Sequence, residues 1–174
     1  TLSLHDALPI YRTYMKNEFP RLIGNEMERG SFLFIYPEQE MWFNYRKPRP
    51  CKRGAYYYAA LFGVPIVSCF VEIVDRDRLE DTDFVEVSYV MHVLDPIYPD
   101  PSLTVHQNSM AMCEKDYSQK CAAYEEIYGK PLDYRFSSDD IAGWVPPAEA
   151  EEKLDRQRFA ADVTEHRLPY DVEA

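Results

Sequence analysis

The first clear apolar run is Phe32-Leu33-Phe34-Ile35-Tyr36, uncharged, aromatic and bounded by Gly30 and Pro37. Its composition and length predict a buried strand. A polar, cationic loop follows from Glu38 to Arg53, and Gly54 opens a short helical pattern, Ala55 to Phe62, closed by Gly63. A second apolar run, Ile66 to Val74, begins after Pro65. Strand, loop, helix and strand in that order predict a βαβ unit and so a parallel sheet, with a ligand beyond the carboxyl end of the first strand. Upstream, Tyr11, Met15, Phe19, Leu22 and Ile23 recur at helical spacing within 11–30, interrupted by Pro20, which is expected to break or kink the helix. Downstream, Asp75 to Asp83 reads as a charged turn and Phe84 to Leu94 as another strand. Residues 108–128 carry the clearest helix, with Met110, Cys113, Tyr117, Cys121, Tyr124 and Tyr128 as its core-facing stripe. After Pro131 the pattern weakens. Residues 148–161 read as a short surface helix, and the rest of 137–174, with ten acids against four bases, as an acidic C-terminal tail.

Three blocks change this picture. Ile35-Tyr36-Pro37-Glu38, Cys51-Lys52-Arg53-Gly54-Ala55 and Gly63-Val64-Pro65-Ile66 follow one another at defined spacing. In that order they resemble the glycerolipid acyltransferases of the 1-acylglycerol-3-phosphate O-acyltransferase type, which have Phe-Pro-Glu-Gly-Thr-Arg, then Phe-Lys-Arg-Gly-Ala, then a Gly-Val-Pro-Ile strand start. The resemblance covers roughly residues 20–100. It implies a partial acyltransferase-like α/β domain over residues 11–136, a mostly parallel sheet flanked by helices. It also implies transfer of an acyl group from acyl-CoA or acyl carrier protein to lysophosphatidic acid in phospholipid biosynthesis. Gln39, Glu40 and Met41 stand where that family has Gly-Thr-Arg, so its phosphate-meeting arginine is absent from its place. Arg46, Lys47 or Arg49, in the insert 42–50, are the candidates to replace it.

Composition narrows the options. Of 174 residues, 46% are hydrophobic and 14% aromatic, which indicates a globular chain. The net charge of −11 argues against general nucleic-acid binding. Against that background Arg46, Lys47, Arg49, Lys52 and Arg53 form a local cationic stretch free of acids, suited to a phosphate or a CoA-like donor. The plain alternative is a solvated loop stiffened by Pro48 and Pro50. Candidate substrate-binding residues are therefore Glu38, Arg46, Lys47, Lys52 and Arg53. Glu38 either contacts substrate or holds Arg46 or Lys52. Trp42, Phe43 and Tyr45 either meet an acyl chain or membrane surface or belong to the core.

The family's catalytic His-x-x-x-x-Asp belongs upstream of the Pro-Glu block, where its histidine takes the acceptor's proton and its aspartate orients the ring. Too few residues precede Tyr36 to hold it there, so no catalytic residue is assigned and a lost N-terminal portion is expected. His166 to Asp171 matches the spacing but lies downstream in a polar, proline-containing stretch, and is rejected. His92 reads as structural. Residues 1–10, TLSLHDALPI, match a translated sequencing adapter and are set aside as an artefact. The cysteines at 51, 69, 113 and 121 lack metal-like pairing and read as reduced thiols in a cytosolic protein. No cofactor or metal is implied beyond the acyl donor as co-substrate. The expected partners are the lysophospholipid acceptor, the donor and a peripheral membrane contact. No apolar run approaches the ~20 residues of a membrane span. From a different class, the chain reads as a non-catalytic module binding anions or lipid headgroups through 44–53.

Overall fold

The computed structural model describes residues 14–81 and 83–165. Residues 1–10, His166 and Asp171 lie outside these, as do the expectations attached to them. The described residues fall into two compact units. One comprises 14–40, 49–68 and 95–118, and the other 41–48, 69–94 (less 82) and 119–165.

In the first unit a π-helical turn, Tyr14–Glu18, leads into helix α1, Phe19–Glu28. Pro20 stands in the first turn of α1, next to the point where the π-helical turn gives way to α-helix, so the irregularity expected at this proline takes the form of a change of helix type. Helix α2, Gly54–Phe62, ends where expected: Gly63 adopts φ +65°, the left-handed cap that a glycine takes without a Cβ penalty. Its inner face, Tyr56 and Ala59, packs with Ile97 and Met112. Phe19 meets Tyr58 edge-on at 5.3 Å between ring centroids.

The second unit is built on one hairpin. Strand β1, Cys69–Asp81, pairs antiparallel with β2, Phe84–Val93, from Cys69 opposite Val93 to Asp81 opposite Phe84. The register slips between Asp75 and Leu79 and again before Asp81. A connection this short permits only antiparallel pairing. Phe70 packs with Ala123 and Tyr124, and Val85 with Val145 and Ala150.

This overturns the expected α/β architecture. The described residues hold four α-helices and a two-stranded antiparallel sheet, not a mostly parallel sheet flanked by helices. Phe32–Tyr36 forms no strand. Ile66 makes an isolated antiparallel bridge to Ile97, and the strand proper starts at Cys69 and runs through the charged residues read as a turn. Those charges are tolerated because Asp75, Arg76, Asp77 and Arg78 are exposed. No parallel crossover around α2 forms among the described residues, where its intended first strand pairs with no other segment.

Helix α3, Val105–Tyr128, exists as expected; of its expected stripe Tyr124 is fully buried and Cys113 and Tyr128 pack against the interior, but the buried face extends to polar neighbours outside the stripe. Ser109, Met112, Asp116, Lys120 and Ala123 are buried, while Met110 is half exposed. Helix α4 spans Pro147–Glu165. Residues 140–150, which composition alone assigns to an acidic tail, supply Asp140, Ala142, Val145 and Ala150 to the interior of the second unit.

Candidate anion-binding site

In the first unit the chain turns at Pro37 and Glu38, where the Gln39 N–H donates to Tyr36 O at 3.2 Å. Gln39 has φ +62°, a conformation that glycine adopts far more easily. It is the position at which the resembled motif carries glycine. The Lys52 N–H donates to Pro37 O at 2.8 Å, and the Arg49 N–H to Glu38 Oε1 at 3.1 Å. The Pro-Glu block is thereby fastened to the Lys-Arg-Gly-Ala block. Glu38 holds the backbone of Arg49, a partner outside the two alternatives the sequence suggested.

The five sequence-selected residues divide between the two units. Glu38, Lys52 and Arg53 belong to the first unit, Arg46 and Lys47 to the second. Lys52 and Arg53 are exposed and make no ion pair among the described residues. Arg53 occupies the N-cap position of α2 without a side-chain capping bond. Two uncovered cations therefore stand beside the positive end of a helix dipole. Arg49, by contrast, is paired with Glu40 at 2.5 Å.

Arg46 and Lys47 serve the second unit. The Arg46 guanidinium donates to Asp75 Oδ1 at 2.5 Å and Asp139 O at 2.6 Å, and lies 5.9 Å from the centroid of the Tyr128 ring. Lys47 Nζ donates to Asp140 Oδ2 at 2.8 Å and Arg135 O at 3.0 Å, and both members of the pair are buried. Asp140 Oδ2 also accepts the Ser137 N–H, closing a capping box around the turn Ser138–Asp140. Burial pushes the Tyr124 phenol up to about 12, with the Asp140 charge adding to it. Tyr128 is also raised, chiefly by burial, although its bond to Ile73 and the Arg46 charge oppose the rise.

Sequence reasoning missed a buried polar hub in the first unit. The Asp116 carboxylate accepts the hydroxyls of Tyr56 and Ser68, and the Cys51 thiol lies 3.8 Å from it. Burial, followed by the bond to Asp116, lifts the Tyr56 phenol far above its ordinary range. The available signal was phase: Asp116 falls on the Met112–Lys120 face of α3. The hub fastens α2 and Ser68 to α3.

The remaining candidates disperse. His92 Nε2 and Glu72 Oε2 are 2.8 Å apart on the hairpin. Trp42 and Phe43 are exposed; the Trp42 ring meets that of Tyr45 at a tilt of 58° and Phe43 meets Phe84 edge-on. Among the described residues no group of three or more His, Cys, Asp or Glu side chains is placed to hold a metal, and no helix is long and apolar enough to cross a membrane. No protein-family model matches the sequence, and neither a curated protein nor a solved structure matches it.

Proposed function

We propose that this chain carries the acceptor-phosphate segment of an acyltransferase that moves an acyl group from acyl-CoA or acyl carrier protein to lysophosphatidic acid. One observation carries the reading: the Lys52 N–H to Pro37 O bond closes two motif blocks on each other and leaves Lys52 and Arg53 uncovered beside the start of α2. Two cations at a helix N-terminus suit a phosphate monoester, which recognises charge and donor geometry. Arg46 and Lys47 are taken up by Asp75 and Asp140 and hold the fold. Glu38 is a positioning residue, since it holds the amide of Arg49. The chain has no His-x-x-x-x-Asp upstream of Pro37 to take the acceptor hydroxyl's proton. General-base assistance contributes ~10²–10⁴-fold, so the chain as given binds the acceptor without turning it over. Its place is the cytoplasmic face of a membrane, where the lysophospholipid resides.

A second reading is favoured by the two-stranded antiparallel sheet, which supplies no parallel frame for an acyltransferase centre. In it the same two cations make a non-catalytic module for anions or lipid headgroups. Calorimetric titration with short-chain lysophosphatidic acid, its dephosphorylated monoacylglycerol and inorganic phosphate separates the two. The acyltransferase reading expects lysophosphatidic acid to bind more tightly than inorganic phosphate, with binding lost in Lys52→Ala/Arg53→Ala. Equal affinity for both anions supports the module. Undiminished binding by the double variant overturns both.

A further inference from the structure

Cys51 and Cys113 lie in the first unit, while Cys69 and Cys121 belong to the second. Cys51 ends the loop that leads into α2, and Cys113 stands on α3, 62 positions further along the chain. The Cys113 thiol donates to Cys51 O at 3.5 Å, and the Cys51 thiol reaches Asp116 Oδ2, one turn beyond Cys113 on α3, at 3.8 Å. Both side chains pack against the same cluster of Tyr56, Ala59, Ile97 and Met112. A carbonyl oxygen lies ~2.4 Å from its own Cα, so the Cys113 sulfur stands within ~6 Å of the Cys51 Cα. Two cysteines this close meet through side-chain rotation and a small backbone adjustment. Both are only partly buried, which gives a small oxidant access to them. Packing as small hydrophobes requires neither the access nor the neighbouring thiol.

We propose that Cys51 and Cys113 are a reversible thiol–disulfide pair, oxidised by a small-molecule disulfide of the glutathione class, whose bridge fastens the start of α2 to α3. One cysteine thiolate attacks the S–S bond of the oxidant, forms a mixed disulfide and expels one thiolate. The other cysteine thiolate attacks the protein sulfur of that mixed disulfide, closing Cys51–Cys113 and expelling the second thiolate. The two cysteine protons end on the two released thiols, and two electrons pass from the cysteines to the oxidant. Oxidation removes the Cys51 S–H that faces Asp116. Tyr56 and Ser68 still donate to that carboxylate, so the hub outlasts the change. Once bridged, residue 51 is tied to a helix of 24 residues, and the exposed Lys52 and Arg53 that follow it have less freedom to move. In a reducing compartment the pair rests as two thiols and closes only on oxidation. The inference uses the thiols alone and does not depend on what the cations bind.

The full chain is equilibrated with glutathione and glutathione disulfide at graded ratios, alkylated, digested and mapped by mass spectrometry. A linked Cys51–Cys113 peptide should dominate over any link to Cys69 or Cys121 and should disappear with dithiothreitol. Hydrogen exchange of the amides of 51–56 should slow by ~3-fold or more in the bridged form, because the closed loop opens less often. Cys69→Ser/Cys121→Ser should keep both effects. Cys113→Ser should lose both and retain glutathione on Cys51; Cys51→Ser is the matching control should the first variant fold poorly. A chain that stays reduced at every ratio overturns the proposal. So does one that takes glutathione without closing the bridge, or one that links Cys51 preferentially to Cys69 or Cys121. Unchanged exchange at 51–56 in the bridged form overturns the fastening of α2.

Discussion

Arg46-Lys47 and Lys52-Arg53 are two cation pairs in one loop with opposite fates. The first pair is enclosed by Asp75, Asp139 and Asp140, carboxylates and carbonyls contributed from far along the chain. The second pair is exposed beside a helix start. Residue type and local spacing treat the two pairs alike. What separates them is whether distant acids fold back onto them, and that decides whether a cation holds a fold or remains available to a ligand.

The largest effect should come from the buried pair. Asp140→Asn leaves Lys47 charged, buried and short of its counter-ion, and removing one partner of such a pair costs about 3–5 kcal/mol. The urea midpoint should fall accordingly, while Lys52→Met should leave it in place. Equal shifts for the two variants would erase the distinction. Lys47→Met/Asp140→Leu should recover part of the loss, because an apolar pair has no desolvation cost.

Gly143 tests the enclosure of Arg46 from the opposite side. Its N–H donates to the same Asp75 Oδ1 that receives Arg46, at 2.7 Å. It has φ +77°, and a Cβ there would stand 2.7 Å from Val85 O and 2.9 Å from Val87 Cγ1. Gly143→Ala should therefore cost about 2–3 kcal/mol, from left-handed strain and displacement of the β2 backbone. A loss below the error of a denaturation curve would mean that the Asp75 contact is dispensable.

Arg46→Lys sharpens the comparison further. A lysine keeps the charge but cannot reach Asp75 and Asp139 O together while lying over Tyr128. The expected loss is about 1–2 kcal/mol in the thermal or urea midpoint. Retained stability would show that Arg46 contributes charge alone, as the exposed pair does.

These contrasts explain what the sequence disclosed. Local signals were legible: the Gly63 cap of α2, the span of β2 and the presence of α3 follow from turn chemistry and periodicity. The phase of α3 was legible only in part: Tyr124 is buried as its stripe predicts, but the buried face also carries Ser109, Asp116 and Lys120, which an apolar stripe excludes. Asp116 is sheltered by hydroxyls from Tyr56 and Ser68, neither of them near it in sequence. Strand direction failed for a related reason. Phe32–Tyr36 has a strand's composition, but a strand exists only when another chain segment pairs with it, and composition does not report pairing. The bond from Lys52 N–H to Pro37 O links two of the sequence blocks, whereas the engagement of Arg46 and Lys47 by Asp75 and Asp140 has no local signal in the sequence.

The smallest effect on stability should come from the exposed pair. Lys52→Ala/Arg53→Ala removes two side chains that contact no acid among the described residues, so the melt should move by no more than about 0.5 kcal/mol. A small gain is equally compatible, because alanine lowers the entropy cost of ordering a surface residue. Binding should behave in the opposite way. If the two cations contact a phosphate, affinity for lysophosphatidic acid falls with salt in the parent chain, since screening acts on exposed charge, and binding is lost at low salt as well in the double variant. Arg46→Lys should leave the salt dependence untouched while lowering the melt. The pairing of the two measurements is what discriminates: one variant moves binding without stability and the other moves stability without binding. Should both variants move both quantities together, the exposed pair is part of the fold after all, and the loop holds no separate anion site.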